Sequence, residues 1–190
     1  MEGVAPAAPS DPPGTELGGG RPEADPSLRP RIPVRATDRL AHVLAVWFGC
    51  GHVPVAPGLA GTLGAIPLYW LLRPFGPGVI AAAAVALTLV GVWAAERVAR
   101  RLGGKDPQII CIDEVAGVFV TWVAAPPTLG GLVAGVVLFR LFDQTKPWPA
   151  RLAERRLPGG LGIVLDDVAA GLWGACILLV LRVVSPKLLP

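Results

Sequence analysis

Residues 113–143 read DEVAGVFVTWVAAPPTLGGLVAGVVLFRLFD, an apolar stretch with acids at both ends. The part from Val115 to Phe139 carries no charge, but Pro126-Pro127 and Gly130-Gly131 in its middle must interrupt a helix. The stretch therefore predicts a hairpin of two short membrane spans. Because a hairpin returns to the side from which it started, we expect the acids at its two ends to share one side of the membrane.

Three further apolar segments flank this hairpin. Gly76–Ala95 is uncharged for twenty residues, which at about 1.5 Å per residue suffices to cross about 30 Å of hydrocarbon. Val168–Leu181 predicts another span. Ala60–Leu72 is shorter and is followed by Arg73-Pro74, so it either crosses a thinned bilayer or re-enters from the same side. The predicted fold is an all-α, multi-spanning membrane bundle of about four to five short transmembrane helices, with surface loops forming the site.

The composition also indicates a membrane protein. Hydrophobic residues make up 53% of the 190, only 16% are charged, and the mean hydropathy is +0.57, which is too apolar for an ordinary soluble domain. The net charge of +3 does not indicate nucleic acid binding, because the arginines cluster beside apolar segments, as topology signals do. Most of them lie on the side that holds residues 96–114, so the positive-inside rule makes that side cytoplasmic.

The N-terminal segment differs from the rest of the chain. Residues 1–36 contain eight prolines and five glycines and no long apolar run, a composition typical of a disordered tail. The sequence therefore predicts two parts: a disordered Pro/Gly-rich tail over residues 1–36 and a membrane-embedded domain over residues 37–190.

Five of the eight acids beyond position 39 lie at the ends of apolar runs. Four of them form two adjacent pairs, Asp113-Glu114 and Asp166-Asp167, that are predicted to open helices, where capping and the helix dipole favour acids without further function. The polar stretch 146–165 is unable to cross a membrane, so all five reach one face, where clustered carboxylates repel one another unless cations lie between them. Hard oxygen ligands predict Mg²⁺, with Mn²⁺ as the alternative. The candidate catalytic residues and metal ligands are Asp113, Glu114, Asp143, Asp166 and Asp167.

Two cations flank one of these acids. Arg140 and Lys146 precede and follow Asp143 by three residues each. Arg140 can simply pair with Asp143, and Lys146 can extend to the lipid head groups. A metal-binding carboxylate between two cations is also what phosphate chemistry requires, and this favours phosphate binding by Arg140 and Lys146.

Two loops are predicted to reach the same face. The segment 157–162 can present glycine N–H groups to an anion or form an ordinary turn, and the loop 54–62 can shape the pocket or simply lead into a helix. The candidate residues are Gly159, Gly160 and Gly162 for phosphate binding, and Pro54, Pro57, Gly58, Gly61 and Thr62 for the substrate loop.

Four motifs in this order and with these separations resemble the phosphatidylglycerophosphatase A family of bacterial membrane lipid phosphatases. They are Pro54–Gly58 continued by Ala60-Gly61-Thr62, Asp113-Glu114 followed by Gly117, Phe139–Pro149 with its arginine, aspartate and lysine, and Pro158–Asp167 followed by Ala170-Gly171. The resemblance covers about residues 45–185. One departure is Leu59, where the family loop usually has threonine.

The resemblance implies Mg²⁺-dependent removal of the terminal phosphate from phosphatidylglycerophosphate, giving phosphatidylglycerol and inorganic phosphate in glycerophospholipid biosynthesis. It implies a multi-pass protein of the bacterial inner membrane whose site faces the cytosol and takes a phospholipid from the bilayer. No nucleic acid or protein partner is inferred. Water activated by the metal, with a carboxylate as general base, is the simpler nucleophile, and a phospho-aspartate intermediate is the alternative.

Two other functions compete with this one. A divalent-cation channel or carrier predicts ionisable groups near the bilayer midplane, whereas the predicted spans have none at their centres. The second alternative is another membrane phospholipid phosphotransferase. An enzyme of that kind would carry an Asp-Gly-x-x-Ala-Arg motif, which the sequence does not contain.

Overall fold

The structure is a computed structural model that describes residues 35–103 and 107–184, and all regular secondary structure in these ranges is helical. The predicted all-α class is therefore confirmed. The predicted tail lies outside the described residues except for Arg35 and Ala36, the first residue of α1. The helices of the described ranges are α1 (Ala36–Ala45), α2 (Pro57–Gly64), α3 (Ile66–Leu72), α4 (Pro77–Leu102), α5 (Ile112–Trp122), α6 (Leu129–Thr145), α7 (Ala150–Arg156) and α8 (Gly159–Val184), with 3₁₀ turns at Trp47–His52 and Arg73–Phe75.

Two of these helices, α4 and α8, are long and apolar enough to cross a membrane. Each has 26 residues, which at about 1.5 Å per residue exceeds the thickness of a bilayer core. The other predicted spans are shorter: α5 has 11 residues and α6 has 17. Within the described ranges the structure thus supports two membrane-crossing helices by length and composition, rather than the predicted four to five.

The hairpin predicted from residues 113–143 is confirmed. Helix α5 ends at Trp122, α6 begins at Leu129, and Pro126-Pro127 lies between them. The hydroxyl of Thr128 accepts a hydrogen bond from Gly131 N at 3.1 Å and so caps the start of α6. Arg73 donates to the carbonyl oxygen of Pro127 at 3.0 Å. This bond supplies a partner for a backbone carbonyl that no helix satisfies.

Helix α5 forms the centre of the bundle and packs against α2, α4, α6 and α8. Its residues Val115, Val118 and Phe119 are fully buried, and Trp122 is nearly so. A helix that is apolar all round, apart from the acids in its first turn, is expected in such a central position. Elements that carry the other candidate site residues therefore surround the first turn of α5.

Small residues allow α5 and α8 to cross at close range. A Cβ placed on Gly171 of α8 would lie 2.2 Å from the carbonyl oxygen of Gly117 in α5. The hydroxyl of Thr121 donates to the carbonyl oxygen of Gly171 at 3.1 Å and links the two helices. Such contacts between small residues are a common basis of helix packing in membranes. This crossing brings the acids of α8 toward those of α5.

A Gly171→Ala variant is expected to unfold at a lower temperature than the wild type. The added methyl group meets a backbone oxygen that is unable to move aside, so the two helices must separate, at a cost of about 1–3 kcal/mol. Thermal unfolding of the detergent-solubilised protein measures the effect. Gly130→Ala is the matched control, because the nearest atom to its added Cβ is Thr128 Oγ1 at 3.8 Å. Equal midpoints for the two variants would contradict the close crossing.

Three local predictions are corrected by the structure. Asp166-Asp167 were predicted to open a helix, but α8 begins about two turns earlier, at Gly159, so both acids lie inside it. The segment 157–162 is accordingly not a free loop, since its glycines form the first turn of α8. Ala60–Leu72 is not one helix, because α2 ends at Gly64 and α3 begins at Ile66.

Candidate active site

Three of the five predicted acids form one cluster. Asp113 and Glu114 extend from the first turn of α5, and Asp167 comes from α8. One carboxylate oxygen from each lies within 4.8 Å of the others. More than fifty residues of sequence separate Asp167 from the two acids of α5, and the close crossing of α5 and α8 joins them. This spacing allows three carboxylates to ligate a single divalent cation.

The cluster is buried, and its local hydrogen bonds orient it. Asp113 and Asp167 are 7% and 5% exposed. Asp113 Oδ1 accepts a hydrogen bond from Glu114 N at 3.0 Å, which fixes the direction of its carboxylate. Glu114 Oε2 is buried and has no hydrogen-bond partner among the described residues. Buried carboxylates this close repel one another strongly unless a cation or a proton joins them.

These observations fit a bound metal ion. The donors are all hard carboxylate oxygens, as Mg²⁺ and Mn²⁺ prefer, and the cluster includes neither histidine nor cysteine. The unpartnered Glu114 Oε2 is an acceptor that a cation would satisfy. The residues present are therefore suited to hold Mg²⁺.

Asp143 pairs with a cation beside this cluster. Arg140 Nη1 lies 2.9 Å from Asp143 Oδ2 and 3.9 Å from Glu114 Oε1. Arg140 Nη1 is buried and lacks hydrogen-bond geometry to any described acceptor, so the 2.9 Å contact is an ion pair without a well-aligned N–H. Arg140 therefore has a buried donor that is not used within the described part of the chain. A phosphate oxygen is the kind of acceptor that such a guanidinium binds.

Asp166 pairs with the second predicted cation. Lys146 Nζ lies 2.6 Å from Asp166 Oδ2 and 3.3 Å from Glu154 Oε1. Partial burial acts to lower the pKa of Lys146, but its hydrogen bond to Asp166 and the charges of Asp166 and Glu154 outweigh this effect and raise the pKa above its usual range. Lys146 is therefore a permanent cation at the edge of the cluster. Glu154 was not among the sequence-predicted site residues.

The segment predicted as a substrate loop is helical from Pro57 onward, because these residues form α2, and it reaches the cluster through Gly58. A Cβ placed on Gly58 would lie 2.1 Å from Glu114 Oε1 and 3.1 Å from Arg140 Nη1. Glycine therefore lets this segment approach both groups, and a side chain here would displace the carboxylate of Glu114. Thr62 is fully buried, and its hydroxyl donates to the carbonyl oxygen of Gly58 at 3.0 Å, one turn earlier in the same helix.

The other loop residues have mainly structural contacts. Pro57 is the first residue of α2, a favoured place for proline, and follows Ala56 in a left-handed conformation at φ 52°. A Cβ on Gly61 would lie 2.7 Å from Cys111 Cβ, so Gly61 lets α2 approach the start of α5. Pro54 lies in a bend before α2.

The glycines of α8 contact a residue that sequence reasoning missed. Gly160 N donates to Glu96 Oε2 at 2.6 Å, so the carboxylate of Glu96 caps the first turn of α8. A Cβ on Gly160 would lie 2.2 Å from the carbonyl oxygen of Val92, and one on Gly162 would lie 2.4 Å from that of Leu157. These contacts give the glycines a packing role, and phosphate binding by Gly159, Gly160 and Gly162 stays a prediction. Glu96 carries no local sequence signal beyond its position near the end of an apolar run.

Comparison with known proteins gives this geometry a context. Residues 43–182 match the family described as phosphatidylglycerophosphatase A. The chain belongs to this family. The matched region spans α2 to α7 and nearly all of α8, and so includes every residue of the acidic cluster.

Three relatives cover most of the chain. Phosphatidylglycerophosphatase A of Escherichia coli (strain K12) is 40% identical over 139 residues, which are 72% of this chain and 80% of that protein. A protein of Bacteroides thetaiotaomicron named "putative phosphatidylinositol-3-phosphatase" is 37% identical over 74% of this chain and 92% of its own length. Phosphatidylglycerophosphatase A of Haemophilus influenzae is 34% identical over 74% of this chain and 88% of its own length. No solved structure matches the chain significantly.

Proposed function

We propose that this chain hydrolyses the terminal phosphate of phosphatidylglycerophosphate to give phosphatidylglycerol and inorganic phosphate, with Mg²⁺ as cofactor. The observation that carries the proposal is the buried cluster of Asp113, Glu114 and Asp167 beside Arg140, in a member of the phosphatidylglycerophosphatase A family. A phosphomonoester needs positive charge around its oxygens and a base for the attacking water. The cluster and its cations can supply both.

The residues divide into two groups by the charge they present. Asp113, Glu114 and Asp167 would hold Mg²⁺, which when bound neutralises phosphate oxygens and makes water more acidic. The unused donor of Arg140 and the ammonium of Lys146 bind the phosphate oxygens and orient them. A carboxylate of the site accepts the proton of the attacking water, and the departing glycerol oxygen takes up a proton as the P–O bond breaks.

The membrane supplies the substrate in this proposal. A lipid stays in the leaflet while its head group enters a polar site at the bilayer surface, and α4 and α8 are suited to hold the protein there. Arg97, Arg100 and Arg101 lie near the end of α4, and the basic segment of α7 adds further positive charge. This distribution supports an inner-membrane protein whose site faces the cytosol.

Phosphate release from the lipid tests the proposal. The purified protein in detergent is given phosphatidylglycerophosphate with Mg²⁺, and separately with a chelator in excess. We expect inorganic phosphate and phosphatidylglycerol in equal amounts with Mg²⁺ and almost none with the chelator. Absence of phosphate release under both conditions would refute the activity, and equal release under both would refute the metal requirement.

A second substrate is supported by one relative. The Bacteroides relative is named for a phosphatidylinositol 3-phosphate activity. The same assay with that lipid distinguishes the two substrates, because each gives a different lipid product beside the same inorganic phosphate. We expect a larger kcat/KM for phosphatidylglycerophosphate, because two of the three relatives are named for it.

A Gly58→Ala variant is expected to lower kcat/KM by about tenfold to a hundredfold. The added methyl group occupies space now taken by Glu114 Oε1 and presses toward Arg140, so both groups move away from their positions around the phosphate. Displacements of about 1 Å at a reacting centre cost up to about a hundredfold in rate. Gly78→Ala is the matched control, because no atom lies within 4 Å of its added Cβ. Full activity of Gly58→Ala would show that the start of α2 does not shape the site.

A further inference from the structure

An open cavity of about 340 Å³ lies beside Lys146, at the end of α6 and along α7. Lys146 contributes to both the cavity and the acidic site, since its ammonium contacts Asp166. The cavity and the proposed phosphate site are thus adjacent but distinct. The cavity is lined by Thr145, Lys146, Pro147, Trp148, Arg151, Leu152 and Arg155.

Two arginines give this cavity its charge. Arg151 and Arg155 are four residues apart on α7, so they extend from the same side of the helix. Both are exposed, and neither forms an ion pair with any acid in the ranges that the structure describes. Lys146, in contrast, is already paired with Asp166 and Glu154. The cavity therefore presents two uncompensated guanidinium groups and has no acid in its lining.

The rim of the cavity is suited to a bilayer surface. The side chain of Trp148 is 75% exposed and that of Leu152 is 37% exposed. Trp173 Nε1 donates to the carbonyl oxygen of Trp148 at 3.0 Å and ties this rim to α8. Exposed tryptophan beside cations is typical of the level of the lipid head groups. A lipid in the leaflet can therefore present its head group to the cavity.

We propose that this cavity binds the phosphodiester group of the lipid substrate while the terminal phosphate lies at the acidic cluster. This proposal rests on the proposed function, and it explains how the enzyme would select its lipid substrate. The substrate carries a phosphodiester and a phosphomonoester joined by a glycerol bridge. Arg151 and Arg155 offer planar, forked donors that suit the two free oxygens of a phosphodiester. Phosphatidic acid, which has only a monoester joined directly to its diacylglycerol, leaves the two arginines without a partner.

The test compares two lipids and three proteins. Wild type, Arg151→Gln/Arg155→Gln and the control Arg156→Gln are assayed for kcat/KM with phosphatidylglycerophosphate and with phosphatidic acid in identical detergent micelles. Arg156 belongs to the same exposed helix and carries the same charge, but does not line the cavity. The ratio of interest is kcat/KM for phosphatidylglycerophosphate divided by kcat/KM for phosphatidic acid. We expect the double variant to lower this ratio by about tenfold, mostly by raising KM for phosphatidylglycerophosphate. Arg156→Gln keeps the wild-type ratio.

Two results would overturn the proposal. One is an unchanged ratio in the double variant, whether neither kcat/KM value falls or both fall by the same factor. The other is an equal fall of the ratio in Arg156→Gln, which would show that α7 acts only through general attraction to anionic surfaces. In each of these cases the wild type still releases phosphate, so the proposed function survives. A wild type that releases phosphate from neither lipid would refute the proposed function and the cavity's role together.

Discussion

An Asp167→Asn variant is expected to release phosphate from phosphatidylglycerophosphate about a hundredfold to ten-thousandfold more slowly than the wild type. Asp167 is the α8 member of the buried cluster, with Asp113 and Glu114 from α5. Asparagine keeps the size of the side chain but removes its charge, and a divalent cation bound by two acids is held less well than one bound by three. The loss should therefore appear in kcat and in the Mg²⁺ concentration needed for half-maximal rate.

Asp38→Asn is the matched control for this variant. Asp38 pairs with Arg97 at 2.9 Å and with Arg101, away from the acidic cluster, so its loss should leave kcat within about twofold. Thermal unfolding of both variants separates a chemical defect from a folding defect. Wild-type kinetics in a folded Asp167→Asn protein would show that the cluster is not the site of reaction.

An Arg140→Gln variant is expected to lower kcat/KM by about a hundredfold to a thousandfold, as is usual when one preorganised charge-stabilising donor is removed. Arg140 has a buried Nη1 without a hydrogen bond and lies within 4 Å of both Glu114 and Asp143. Glutamine removes the cation that faces the phosphate and leaves the carboxylates around it less compensated. Steady-state kinetics at saturating Mg²⁺ measure the effect.

Two further substitutions define the cause of that loss. Arg101→Gln removes an arginine that pairs with Asp38 outside the site and should retain nearly all activity. Arg140→Lys keeps the charge but not the planar fork, so we expect an intermediate rate. If Arg140→Gln lost no more activity than Arg101→Gln, the assignment of Arg140 to the phosphate would be wrong.

The main features of the fold were predictable because they depend on local sequence. Pro126-Pro127 interrupts an otherwise apolar run, so the hairpin of α5 and α6 follows from the backbone N–H groups that the two prolines lack. Gly130-Gly131 was also predicted to interrupt the helix, but both glycines lie in the first turn of α6. The proximity of Asp143 to Glu114, bridged by Arg140, then follows from the return of the chain to its starting side.

The rest depends on tertiary contacts that the sequence does not display. Three glycines within residues 159–162 predict a loop, but they form the start of α8, because close packing of Gly160 against Val92 and its hydrogen bond to Glu96 outweigh the low helix propensity of glycine. The division of the five acids was likewise not predictable. Asp166 pairs with Lys146, while its neighbour Asp167 joins the cluster, since adjacent residues on a helix point in directions about 100° apart.

Binding of Mn²⁺ tests most directly the claim that acids from α5 and α8 form a single metal site. Mn²⁺ prefers the same oxygen ligands as Mg²⁺, and its electron paramagnetic resonance signal reports the free ion. The wild type, Glu114→Gln, Asp167→Asn and Asp38→Asn are titrated in detergent without substrate. We expect Asp38→Asn to bind as the wild type does, and Glu114→Gln and Asp167→Asn each to bind at least about tenfold more weakly. Wild-type affinity in either of these two variants would contradict the shared site.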